Sequence, residues 1–161
     1  MPQVKSREEL DFLQDLEQRR GNPIGYRTFS TFYADSDGNV RDFGVFFYQC
    51  QDRFWYEDFD HEPTFLGIKL KPRRSDYKYE KFESSFSPPD VVSIRKVVKS
   101  KARNCALGYA SFEKLKAANP VLSFFRETVT EFRLSDGRLL YFQLIDKTVR
   151  DLIEKSKNEN K

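Results

Sequence analysis

Twice in this chain an Asp-Gly pair separates two runs in which aromatic and β-branched residues alternate with polar ones. Asp37-Gly38 lies between Tyr26–Tyr33 and Arg41–Cys50, and Ser135-Asp136-Gly137 lies between Thr128–Leu134 and Arg138–Leu144. Asp-Gly tolerates the positive φ of a tight two-stranded turn, so the pattern predicts two β-hairpins. In the second run Phe43, Val45 and Phe47 share one face while Phe46, Tyr48 and Cys50 share the other, which predicts a central strand buried on both sides. Gln51-Asp52 permits another turn into Arg53–Phe59, completing a three-stranded meander. Pro63, Pro72 and Pro88-Pro89 punctuate the next third and leave strand candidates at Phe65–Leu70, Lys78–Phe86 and Val91–Lys99.

Helices are read from caps and stops. Ser6 and Glu9 form a capping-box pair, Leu10, Leu13 and Leu16 with Phe12 form an apolar stripe, and Gly21 with Pro23 ends the helix after Arg19 and Arg20. An amphipathic helix over residues 7–20 is therefore expected on a β-rich core over 25–144. Ser111 is expected to cap a short helix that carries Phe112 and Leu115 and ends at Pro120. Asp146 caps a C-terminal helix over 146–157, where Val149, Leu152 and Ile153 fall at i, i+3 and i+4, before a polar tail that frays. The expected fold class is α+β, mostly antiparallel β with about seven strands, as one domain over residues 1–161.

Composition bounds this further. A length of 161 residues supports one well-buried core rather than two, and 16 Phe with 8 Tyr predict an aromatic interior and exclude wholesale disorder. No apolar run approaches the roughly 20 residues of a membrane span, and the first residues do not read as a secretory signal. Cys50 and Cys105 lie far apart without metal-spaced partners, as expected of buried free thiols in a reducing compartment, here the cytoplasm. The net charge of +3 is too nearly balanced to mark a nucleic-acid binder by itself.

Two segments carry a family resemblance. Ser87-Pro88-Pro89-Asp90-Val91-Val92-Ser93-Ile94 resembles the D-I-x-x-I strand of bacterial pleckstrin-homology-like and GRAM-like domains, and Glu131–Phe142 resembles their closing hairpin. The resemblance covers roughly the last half of the chain and implies a partly open barrel capped by the C-terminal helix. The N-terminal helix and the segment from Pro72 to Pro89 are extra to that barrel. The usual phosphoinositide site of such domains surrounds the loop between the first two strands; here that loop holds Asp35, Asp37 and Asp42 against Arg41, so that site is not expected. The final helix also lacks the tryptophan common in the family, since the chain's one Trp is Trp55.

Between Asp90 and Glu113 there is no acidic residue, but there are Arg95, Lys96, Lys99, Lys101 and Arg103. In an extended strand Val92, Ile94 and Val98 point one way while Arg95, Lys99, Lys101 and Arg103 point the other, as a cationic row. A second run, Lys69, Lys71, Arg73 and Arg74, would enlarge it into an anion-binding patch for nucleic acid or an acidic membrane surface if the two lie side by side. The alternative is an edge strand guarded by cations, or ordinary solvated faces. Phe54, Trp55, Tyr56 and Phe59 read as core, or as a protein-binding patch if the outward subset is exposed. Glu57, Asp58, Asp60, His61 and Glu62 read as a solvated turn rather than a metal site, because consecutive residues point to opposite sides of a strand. Asp35-Ser36-Asp37-Gly38-Asn39 lacks the spacing of a calcium loop.

Catalytic signatures are missing. His61 is the single histidine, and neither a nucleophile elbow, a phosphate-cradling glycine loop nor a dinucleotide fingerprint occurs among the 7 glycines. No cofactor and no metal are expected. The sequence leads to a non-enzymatic module that binds another protein, or itself, ahead of a binder of anionic ligands through the basic runs, with a small enzyme third.

Overall fold

A computed structural model describes residues 7–58, 64–65, 68–69, 81–143 and 145–159. In chain order the elements are α1 (Arg7–Arg20), β1 (Ile24–Asp35), β2 (Val40–Cys50), β3 (Arg53–Asp58), β4 (Thr64–Phe65), β5 (Ile68–Lys69), β6 (Glu83–Phe86), β7 (Val91–Val98), α2 (Lys99–Ala106), α3 (Pro120–Phe125), β8 (Thr128–Leu134), β9 (Leu139–Gln143) and α4 (Lys147–Glu159). Seven strands form one antiparallel sheet in the order β6-β3-β2-β1-β9-β8-β7, and β4 pairs with β5 apart from it.

The sheet is curled but not closed. Laid flat, seven strands would span about 29 Å between edges. Yet β6 at one edge leads into β7 at the other through Ser87 and the 3-10 turn Pro88–Asp90, a link that reaches about 17 Å at most. The curl brings the Phe86 ring of β6 to 5.6 Å from Phe132 of β8. Inside it Phe32, Phe47, Phe54, Tyr56, Phe132 and Phe142 are buried together, and Val149 and Ile153 of α4 close the aromatic interior. Asp146 starts α4 as expected, accepting from the Val149 amide at 3.2 Å, and it also accepts from the Tyr26 hydroxyl.

Helices cover the outer face in two places. Leu13 and Leu16 of α1 pack on Phe46, Tyr48 and Cys50, with Trp55 alongside. Ala102, Cys105 and Ala106 of α2 pack on Tyr33, Val97, Val129 and Tyr141. The Asp37-Gly38 hairpin forms because the Asp35 carboxylate accepts from the Asp37 and Asn39 amides, both at 3.0 Å, and from the Asn39 side chain at 2.8 Å, while Gly38 takes φ +92°. Both cysteines are buried and free.

Five local expectations change. The strand expected to run through Lys99 stops at Val98, because Ala102, Cys105 and Ala106 at i, i+3 and i+4 bury together only as a helix. Pro120 begins α3 instead of ending a helix: Asn119 accepts from the Leu122 amide at 2.7 Å, and proline suits a first helical turn. Ser111 caps only a 3-10 turn over Phe112–Lys114. The Phe65–Leu70 strand becomes the β4–β5 pair, and of Lys78–Phe86 only β6 is strand among the described residues. Ser6 of the capping box lies outside them.

Candidate interaction surface

Val98 and Thr128 are register partners at the ends of β7 and β8. Antiparallel neighbours of this kind need only 2–5 residues to turn. Here residues 99–127 intervene and fold into α2, the 3-10 turn and α3. The insertion also guards the edge of β7: the Ala118 amide donates to the Lys96 carbonyl at 2.8 Å, and the Leu115 carbonyl accepts from Arg95 at 2.9 Å.

The expected cationic row does not form, for two reasons. Its strand ends at Val98, so Lys101 and Arg103 ride on α2 instead. Its remaining members are spent on structure. Arg95 points under the insertion and grips Glu131 at 2.6 Å, whose other oxygen accepts from the Tyr141 hydroxyl at 2.9 Å. Glu131 is 0% exposed, and its hydrogen bond raises the Arg95 pKa while burial beside its charge raises that of Tyr141. Lys99 sits 5.0 Å above the Tyr33 ring between Asp42 at 3.6 Å and Glu127 at 3.4 Å. Burial lowers the Lys99 pKa and these carboxylates more than restore it. Of the second basic run, Lys69 falls in β5 and Lys71, Arg73 and Arg74 lie outside the described residues.

The exposed cations of this stretch lie on and beside the insertion. Residues 91–126 hold eight cations against one carboxylate, Glu113, although the chain as a whole carries only +3. With Arg95 and Lys99 engaged, Lys96, Lys101, Arg103, Lys114, Lys116 and Arg126 remain exposed and without an ion pair among the described residues.

Beside them α3 is amphipathic the wrong way round. Val121, Phe124 and Phe125 fall at i, i+3 and i+4, the spacing that ordinarily turns an apolar stripe toward a core. They are instead 65%, 83% and 77% exposed, and the two phenyl rings rest 5.1 Å apart in an edge-on pair. Tyr109, in the loop after α2, is also exposed. In the sequence this stripe is signalled only by the Asn-Pro start with an i, i+3, i+4 apolar triplet, and proline marks the end of a helix as readily as its start. Two clefts flank α2. One, of about 370 Å³, is lined by Tyr33, Val98, Ser100, Arg103, Arg126 and the Lys99–Glu127 pair. The other, of about 250 Å³, is lined by Lys101, Asn104, Ser111 and Lys114 above the Cys105 thiol, whose pKa burial raises.

Compared with known proteins, the chain matches no family model, no curated protein and no solved structure. Function must be read from its own surface.

The aromatic strand β3 offers no such surface. Phe54 and Tyr56 are buried in the interior, and Trp55 lies beneath the Arg20 guanidinium, 3.7 Å from the ring centroid. Nor does Glu57 belong to a solvated turn. It is 2% exposed on the outer face of β3, accepting from Arg19, Arg20, Lys81 and Tyr48, so it fastens α1 to the sheet. Asp58 accepts from the Phe82 amide, while Asp60, His61 and Glu62 lie outside the described residues. Among the described residues no cluster of side chains could hold a metal ion, and no helix is long and apolar enough to cross a membrane.

Proposed function

We propose that this chain is a non-enzymatic protein-interaction module whose binding element is the insertion 99–127. The carrying observation is the outward stripe of α3. A fully exposed Phe forgoes about 1.5–3 kcal/mol of burial, and two in contact on one short helix are costly to leave in water. The same insertion also carries exposed lysines and arginines without an ion pair among the described residues, which favours a partner with an acidic rim. Two buried carboxylates of the sheet, Glu57 and Glu131, are each locked to arginine and fit structural roles rather than acid–base chemistry.

Site-specific photocrosslinking tests this. A benzoylphenylalanine at Val121 should yield protein adducts in the producing cells that F124S/F125S abolishes. The same probe at Asp136, in the turn at the far end of β8, should yield none. Equal adducts at both positions, or adducts indifferent to F124S/F125S, would sink the reading.

A further inference from the structure

The larger cleft carries an inference beyond docking, and it rests on the docking reading. Arg103 of α2 and Arg126, the residue after α3, both line it, both are exposed, and neither has an acidic partner among the described residues. Its one carboxylate, Glu127, is already held by Lys99 at 3.4 Å, and Lys99 is shared with Asp42. Neither guanidinium is in an ion pair among the described residues, and Lys99, Arg103 and Arg126 together outweigh Glu127 and Asp42 by one positive charge. Ser100 adds a hydroxyl there, and Tyr33 with Val98 supplies an apolar wall. The volume, about 370 Å³, gives room for one charged side chain. Arg126 directly follows Phe125, so the chain that carries the exposed stripe runs straight into the cleft lining.

We infer that this cleft is an anion subsite that takes one acidic side chain of the partner protein, a carboxylate or a phosphoryl group, through Arg103, Arg126 and Ser100. Apolar residues next to that acidic residue in the partner cover Val121, Phe124 and Phe125. Guanidinium forks suit both planar carboxylates and phosphoryl oxygens, so the site is defined by charge and fork geometry.

The test is an NMR titration of the full chain with phenyl phosphate and, separately, with N-acetylaspartate. The amides of Ser100 and Lys101 and the side-chain Nε–H of Arg103 and Arg126 are followed. Saturable shifts confined to these groups are expected, weakened at least about tenfold in R103Q/R126Q and retained in K114Q/K116Q, which removes equal charge elsewhere. All four residues are exposed, so both variants should fold. Saturation by phenyl phosphate alone assigns a phosphoryl group; saturation by both assigns an acidic side chain in general. Shifts that never saturate, or that fall equally in both double variants, would overturn the subsite as general charge screening. So would a single-stranded oligothymidylate that binds more tightly than either probe and shifts Lys96, Lys114 and Lys116 as strongly as Arg103, marking a nucleic-acid face. Crosslinks at Val121 without anion binding keep the docking reading and remove the subsite, whereas anion binding without crosslinks does the reverse.

Discussion

Replacing Glu57 by Gln takes one negative charge from a place where four donors converge, while leaving the side-chain volume unchanged. Oε1 accepts from Arg19 at 2.9 Å and Lys81 at 3.3 Å, and Oε2 accepts from Arg20 at 3.0 Å and the Tyr48 hydroxyl at 3.1 Å. An amide keeps one oxygen, so one pair of donors must meet an NH2 group. The Tyr48 hydroxyl can turn to accept; a guanidinium or ammonium cannot. Removing one member of a buried ion cluster costs about 3–5 kcal/mol. Arg19 and Lys81 retain side-chain exposures of 35% and 36% and can rehydrate, which places the expected loss at about 3 kcal/mol. For a chain of this length that corresponds to a Tm lowered by roughly 6–12 °C. Urea unfolding at pH 7 reads the loss directly.

The pH dependence has a definite sign. Burial pushes the Glu57 carboxyl up, but the Arg19 hydrogen bond and the charges of Lys81 and Arg19 outweigh it and hold the native pKa below its ordinary value. Its stabilisation is complete above the unfolded value of about 4.3 and fades as pH falls through the lower native value. The gap between wild type and E57Q should therefore close in acid. A loss under about 1 kcal/mol at neutral pH, the size of one ordinary hydrogen bond, refutes the reasoning. So does a gap that stays constant through that acid range.

Other outcomes follow from the same geometry. F124S/F125S should leave stability within about 0.5 kcal/mol of wild type, because the rings touch solvent, while abolishing Val121 crosslinks; a large drop in Tm would place those rings in the fold instead. Ile153→Ala should cost about 2–5 kcal/mol in chemical denaturation, since that side chain is 0% exposed where α4 closes the aromatic interior, and a loss below 1 kcal/mol would show that α4 is dispensable. Gly38→Ala should cost about 1 kcal/mol or more, from the +92° φ rather than from crowding, because an added Cβ would meet only the Ala106 carbonyl at 3.7 Å; an unchanged midpoint would argue against the turn as described.

Local chemistry made much of the fold readable. Asp37-Gly38 and Asp136-Gly137 demand turns, the double alternation around Phe43–Cys50 demands burial on both faces, and Asp146 before Val149 demands a helix start; all three appear. Structure departs from the local pattern where one spacing serves two periods. Lys99, Lys101 and Arg103 share a face in a strand, yet Ala102, Cys105 and Ala106 between and after them share a face in a helix. Only the apolar floor of Tyr33, Val97, Val129 and Tyr141, assembled from four strands, rewards the second choice. Pro120 was ambiguous for a similar reason, since proline both ends helices and begins them.

Charge shows the same division. The sequence by itself determined that cations crowd residues 91–126 and that aromatic residues must build the interior, because composition and alternation are local quantities. Which cations are available was a matter of tertiary structure. Arg95 is consumed because curling the sheet and folding the insertion bury Glu131 beside it, and Lys99 because the β1–β2 hairpin brings Asp42 within 3.6 Å. Arg103 and Arg126 lie far apart in the chain and share a cleft only because the insertion leaves and returns between two paired strand ends. Likewise the spacing of Val121, Phe124 and Phe125 specifies a stripe, but whether a stripe faces core or solvent depends on what else is already packed beneath it, and that packing is long-range.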